Sequence, residues 1–208
     1  FNALISKGFS KENIVCIASK CGGNVALKTV LDKHNALVAK GFSNNDIVSI
    51  ASNDGANQAI KTLLAKHNAL VAKGFAKDNI VSIASNIGAN LTLKILLDTY
   101  EMLILKGFNK SDIVRIASNG GANQTIKTVL DKYDAFVCKG FTKDDIVSIA
   151  SNGGANVALK TVLDKYDALV SKGFSKENIV SISSHAGANV AIKTILDNYD
   201  ALVTKGFT

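Results

Sequence analysis

The residues of this chain that could do chemistry are few, and their spacing says what kind of chemistry to expect. Cys16, Cys21 and Cys138, with His34, His67 and His185, are all the cysteines and histidines present. A disulfide framework or a metal centre needs matched, recurring spacings, and neither set has them. Free thiols in a reducing, intracellular compartment are expected, with no metal and no cofactor. No nucleophile–base set and no paired carboxylates converge on one place, so the chain does not read as an enzyme. What recurs is a loop-like stretch: IASKCGGN from Ile17, IASNDGAN from Ile50, IASNIGAN from Ile83, IASNGGAN from Ile116 and again from Ile149, and ISSHAGAN from Ile182. Its frame is nearly constant while two adjacent residues change: Lys20-Cys21, Asn53-Asp54, Asn86-Ile87, Asn119-Gly120, Asn152-Gly153 and His185-Ala186. A fixed scaffold with a variable pair at one place suggests a surface that reads a partner one unit at a time.

The elements that must position those pairs follow from the period. Phe9, Phe42, Phe75, Phe108, Phe141, Phe174 and Phe207 are each 33 residues apart. With Phe as position 1, full repeats span 9–41, 42–74, 75–107, 108–140, 141–173 and 174–206, and the variable pair holds positions 12 and 13. Residues 1–8 match the end of a repeat and Phe207-Thr208 begin another, so the whole of 1–208 reads as one array cut from a longer one. A fixed period of this size signals a solenoid whose units stack on their neighbours. Proline is absent, no apolar run is long enough to span a bilayer, and no targeting signal is present in the stretch.

Within a unit, positions 2–5 (SKEN, SNND, AKDN, NKSD, TKDD, SKEN) carry a small polar residue followed by acids in most units. That is a helix start signal, because the side chain caps free N–H groups and the acids suit the dipole. Apolar positions 6, 7, 9 and 10 place a first helix at about positions 3–11. Gly22, Gly55, Gly88, Gly121, Gly154 and Gly187 hold position 14 in every unit, for a positive φ or a close approach to something outside. A second helix follows over positions 15–31, with an apolar set at 18, 19, 22, 23, 26, 29 and 30, and is closed by Lys-Gly. The Phe at position 1 is expected between adjacent repeats. The His or Tyr at position 26 is expected to be structural.

The net charge is +7 but uneven, falling from +3 in the first repeat to 0 in the last two. Placement is more informative than the total. Lysine fills position 20 throughout (Lys28, Lys61, Lys94, Lys127, Lys160, Lys193) and position 32 as well (Lys40, Lys73, Lys106, Lys139, Lys172, Lys205). Position 20 lies one turn beyond position 16, which is always Asn: Asn24, Asn57, Asn90, Asn123, Asn156 and Asn189. Such a stripe near a helix start could track a line of phosphates, and a solvated helix face is the plainer explanation of it.

The unit FTKDDIVSIASNGGANVALKTVLDKYDALVSKG, residues 141–173, resembles the repeat of transcription activator-like effectors. It is more similar still to the 33-residue repeats of bacterial and marine TALE-like proteins, and the resemblance covers essentially the whole chain. The resemblance implies an all-α, right-handed superhelical solenoid of two-helix repeats that binds double-stranded DNA in the major groove, one base pair per repeat. It implies that Cys21, Asp54, Ile87, Gly120, Gly153 and Ala186 meet bases. It implies that Lys20, Asn53, Asn86, Asn119, Asn152 and His185 turn back to brace their loops. It also implies that the position-14 backbone and the first turn of the second helix lie against phosphate. Physics agrees for the middle repeats: Asp54 can accept from cytosine N4, Ile87 suits adenine by shape, and Gly120 and Gly153 leave room for the thymine methyl. The expected core target is 5′-CATT-3′.

The sequence departs from the effector pattern at three places. Position 16 is Asn where the family has Lys, and the position-20 lysines would substitute for it. Position 27 lacks the family's proline, so the second helix should be straighter. The Lys20-Cys21 pair is atypical. A helical-repeat scaffold for a protein partner is the alternative, and one-base-per-repeat reading of RNA is a further one. A monomer is expected, with no membrane and no small-molecule substrate.

Overall fold

The computed structural model describes residues 1–206, and the repeat start expected at Phe207-Thr208 lies outside them. The described residues form thirteen α-helices and no strand. A short first helix, α1 (Asn2–Ile5), is followed by six pairs: α2 (Lys11–Ala18) with α3 (Gly23–Ala39), α4 (Asn44–Ala51) with α5 (Ala56–Ala72), and α6 (Lys77–Ala84) with α7 (Ala89–Leu105). Then come α8 (Lys110–Ala117) with α9 (Ala122–Cys138), α10 (Lys143–Ala150) with α11 (Ala155–Ser171), and α12 (Lys176–Ser183) with α13 (Ala188–Thr204). Long helices pack on the long helices of neighbouring units, α3 on α5, α5 on α7 and onward, while short helices pack on short ones. The chain is therefore an all-α solenoid of repeated helix pairs.

The short helices start where the hydroxyls and amides at position 2 require. Ser10, Ser43, Asn109, Thr142 and Ser175 accept from the position-5 N–H, and the position-5 side chain bonds back to the cap residue's N–H. This reciprocal box satisfies two of the donors that a helix start leaves free. Ala76 has no oxygen to offer, and only the return bond to Asn79 Oδ1, 3.1 Å, remains there. The short helices end at position 10, one residue before the expected end. The serine at position 11 leaves the helical region in most repeats, with ψ +28° at Ser52 and +27° at Ser118.

The long helices end in a motif that explains two invariant positions together. The glycine at position 33 takes a left-handed φ, +86° at Gly41, and its N–H bonds to Val38 O. The following Phe42 N–H bonds to Leu37 O at 3.2 Å and its ring packs into the core. These paired bonds satisfy carbonyls that would otherwise be orphaned. Phe9, Phe42, Phe75, Phe108 and Phe141 are all buried. Each burial is worth about 1.5–3 kcal/mol.

Position 30, expected on the apolar stripe, faces out instead, from 40% exposed at Val203 to 50% at Val71. Positions 22 and 29 take the burial because they share a face, whereas position 30 lies about 100° further round the helix. Positions 15 and 21 join the core in its place: Ala56, Ala89, Ala122 and Ala155 are buried, as are Thr29, Thr128 and Thr161.

Adjacent repeats are clamped at the far end of the long helices. The position-32 lysine reaches the position-27 residue of the next repeat: Lys106 to Asp134 at 2.6 Å, Lys139 to Asp167 at 2.8 Å, Lys172 to Asp200 at 2.8 Å, and Lys73 to Glu101. The same ammonium sits over the next repeat's Tyr ring, 4.6 Å from the centroid for Lys139 over Tyr166. That Tyr donates its hydroxyl back to the lysine's own carbonyl, Tyr166 to Lys139 O at 3.1 Å, and meets Phe141 edge-on. In the first two repeats the pair at positions 26 and 27 is His-Asn, and Lys7 and Lys40 bond Asn35 and Asn68. A second, smaller clamp joins short helices, with Lys77 to Asp46 at 3.1 Å and Lys143 to Asp112 at 2.8 Å. Burial pushes the Asp46 carboxyl up. The N–H and hydroxyl of Ser43, with Lys77, outweigh that and hold it below the ordinary aspartate range.

Candidate nucleic-acid interface

The variable pairs sit on the loops between short and long helix, and each loop is built the same way in repeats two to six. The position-12 side chain turns back to the carbonyl of position 8 in its own repeat. Asn53 donates to Ser49 O at 2.9 Å, Asn86 to Ser82 O at 2.6 Å, Asn119 to Arg115 O at 2.7 Å and Asn152 to Ser148 O at 3.0 Å. His185 Nδ1 stands 2.9 Å from Ser181 O. The position-12 carbonyl in turn accepts from the position-15 N–H, as in Ala56 to Asn53 O at 3.1 Å. Between them the chain reverses through glycine at position 14 with φ from +72° at Gly22 to +82° at Gly187, a backbone that side-chain-bearing residues rarely adopt.

This geometry pushes position 13 outward. Cys21, Asp54, Ile87, Gly120, Gly153 and Ala186 are all exposed. A Cβ added to Gly120 or Gly153 would meet nothing within 4 Å. The loops therefore present one open residue per repeat, on a frame that hydrogen bonds hold still.

Immediately behind each open residue is the start of a long helix with no side-chain cap. Gly22, Gly55, Gly88, Gly121, Gly154 and Gly187 occupy the cap position and offer none. The position-14 carbonyl takes the N–H of positions 17 and 18, as in Gln58 and Ala59 to Gly55 O. The N–H of position 16 has no partner within the helix. Asn57, Asn90, Asn123, Asn156 and Asn189 are half-buried there and Asn24 is exposed. One turn on, Lys28, Lys61, Lys94, Lys127, Lys160 and Lys193 are exposed, and none has an ion-pair partner among the described residues. Uncapped helix starts carry partial positive charge, so each repeat offers a small electropositive step beside its open residue.

Two features were not foreseen from sequence. The position-8 side chain can tie the foot of one loop to the next repeat: Ser82 Oγ donates to Ser118 Oγ at 2.8 Å, and Cys16 Sγ lies 3.2 Å from Ser52 Oγ. The recurrence of serine at position 11 was the available signal. The other feature is Lys20, which makes no bracing bond; the Cys16 carbonyl is occupied by Ser19 Oγ at 3.0 Å.

Two consecutive windows, residues 21–53 and 54–86, match the TAL effector repeat. Each window begins on a position-13 residue, Cys21 and Asp54, so the family's unit and the period of the loops coincide. Those two windows are similar to the TAL effector repeat, and the all-helical stack of pairs agrees with that likeness. No curated protein matches the chain. No helix among the described residues is long and apolar enough to cross a membrane.

Proposed function

We propose that the chain is a single repeat array that binds double-stranded DNA sequence-specifically, as a monomer, with one base pair per repeat. The observation that carries this reading is the coincidence, six times over, of an open position-13 residue with an uncapped helix start and an unpaired lysine. The three chemistries suit a base edge flanked by a phosphate. Asp54 accepts from cytosine N4, and a thymine in its place would set O4 against the carboxylate. Ile87 takes adenine by shape, and Gly120 and Gly153 take thymine. With the N-terminal repeat at the 5′ end, the core target is 5′-CATT-3′. Asn53, Asn86, Asn119, Asn152 and His185 hold the loops in register. The N–H groups behind the position-14 glycines, the Asn side chains at position 16 and the lysines at position 20 follow the phosphates. A right-handed superhelix is the form that lets successive loops follow the groove.

Fluorescence anisotropy with duplex DNA, single-stranded DNA and RNA tests the class of partner, and duplexes permuted at each step test the code. The expected result is duplex binding with the tightest complex at CATT. Equal binding of all duplexes would leave only backbone affinity, and preference for single strands would replace the reading by an RNA-type one. Repeat three carries the exposed apolar residues Met102 and Leu105, the feature that favours a protein-binding scaffold. Absence of duplex binding would leave that reading standing.

A further inference from the structure

The loop of the first repeat is folded differently from the others, and the difference releases a cation. In repeats two to six the position-12 side chain is committed to the position-8 carbonyl. In the first repeat Ser19 Oγ takes that carbonyl. Ser19 stays near helical geometry with ψ −9°, where Ser52, Ser85, Ser118, Ser151 and Ser184 have moved to ψ between +17° and +28°. The Lys20 N–H closes an added turn onto Ile17 O at 3.2 Å. The loop is drawn in against the end of α2, and Gly23 makes this possible. A Cβ there would press into the carbonyl oxygens of Ile17 and of Ala18, the latter at 2.6 Å. The other repeats carry alanine at this position. Lys20 is exposed and its ammonium has no partner among the described residues. It stands next to Cys21, whose thiol is short and a weak donor.

We infer that in the first repeat Lys20, not Cys21, is the residue that reads the base, and that it selects guanine. This rests on the DNA reading proposed above. An ammonium is a donor only. Guanine alone presents two adjacent acceptors, N7 and O6, on its major-groove edge. Adenine pairs one acceptor with a donor, thymine sets its single acceptor beside a methyl, and cytosine offers a donor. Phosphate is the other acceptor within reach of a lysine, and the only anionic one. Lys20, however, precedes the open residue at the tip of the loop, whereas the phosphate-directed groups lie beyond the Gly22 turn, where Lys28 already supplies a cation.

The test is competition among four duplexes, 5′-NCATT-3′, with a fifth in which 7-deazaguanine replaces the guanine and so removes N7. Guanine is expected to bind about tenfold more tightly than the other three bases, within the range for a good lysine–guanine contact, and the deaza duplex several-fold less tightly than guanine. Lys20→Met should level the four duplexes while leaving discrimination at the C, A, T and T steps unchanged. Lys20→Asn, which restores a bracing amide, should level them too. The inference is overturned if Lys20→Met weakens all four duplexes equally and reduces the log–log salt slope by about one, the signature of a phosphate contact. It is equally overturned if the guanine preference survives Lys20→Met or is abolished by Cys21→Ala. An unsubstituted chain without selectivity at the C, A, T and T steps would overturn the one-base reading itself, and this inference with it.

Discussion

Two rows of lysines run the length of the array, identical in spacing and opposite in circumstance. At position 32 each ammonium that faces an acid of the next repeat is bonded to it and lies over a tyrosine ring. At position 20 none has an ion-pair partner among the described residues, although Asp32, Asp98, Asp131, Asp164 and Asp197 follow four residues on. The helix starts divide in the same way. Those of the short helices are closed by serine, threonine or asparagine in five repeats of six, and those of the long helices are left uncapped at glycine. One edge of the solenoid satisfies its own charges and donors, while at the other the lysines and helix starts have no side-chain partner among the described residues. Glycine at the long-helix starts serves the left-handed reversal of each loop, at the expense of a side-chain cap.

The comparison breaks most visibly if the free row is removed. Replacing Lys28, Lys61, Lys94, Lys127, Lys160 and Lys193 by alanine should flatten the log–log salt slope of duplex binding by about 5, at about 0.9 per phosphate. Melting temperature should scarcely move. Titrations from low to physiological salt measure the first, calorimetry the second. A slope that stays put would show that position 20 is not the phosphate row.

Next in size is Asp54→Gly, which leaves both lysine rows intact and alters only the open residue. Preference at that step should pass from cytosine to thymine, by about 1–3 kcal/mol, with the remaining steps unchanged in a site-selection experiment. A shift at every step would mean the repeats do not read independently.

The bonded row should answer with the reverse pattern. Tyr166→Phe removes the hydroxyl bond to Lys139 O and should cost about 1 kcal/mol of stability, read from a denaturant midpoint, without changing the salt slope. Ala76→Ser supplies the oxygen missing from one short-helix start. It should stabilise by about 0.5–2 kcal/mol, and no gain on thermal melting would mean the cap geometry differs there. The smallest effect is on pH. Because the folded Asp46 carboxyl lies below the ordinary range, its contribution is full above that range and is lost as the pH falls through the folded value. Asp46→Asn should therefore lower stability at neutral pH, flatten the fall of stability across the acid range, and leave stability little changed once the pH is below the folded value, as read from denaturant midpoints at a series of pH values.

Much of this was legible in the sequence because the governing signals are local. Cap residues, the Lys-Gly endings and the apolar spacing act within one helix, so both helices and their order could be read. The long helix was placed at its observed bounds, and the short one a single residue too long, since a serine's departure from helix depends on the loop beyond it. What could not be read involves distance along the chain. Lys139 and Asp167 are 28 residues apart, and only stacking brings them together. Position 27 attracted notice as a missing proline, and its role as an acceptor for the preceding repeat depends on that stacking. Position 30 looked apolar and was assigned inward, because hydrophobicity does not say how wide the buried stripe is. Lys20 falls among the bracing residues by the resemblance alone, and the competing bond from Ser19 lies in the fold.

The clamped edge has a mechanical meaning. The lysine–acid–tyrosine contacts sit at one end of the long helices and the loops at the other, so each helix is a lever about 25 Å long at 1.5 Å per residue. Turning one repeat on the next by about one degree about that pivot moves its loop by roughly 0.4 Å, set against a rise of about 3.4 Å for each step along one strand of a duplex. On the DNA reading proposed above, the spine would keep its bonds while the loop edge lengthened or shortened, and the array would act as a ruler whose graduations adjust to the object it measures.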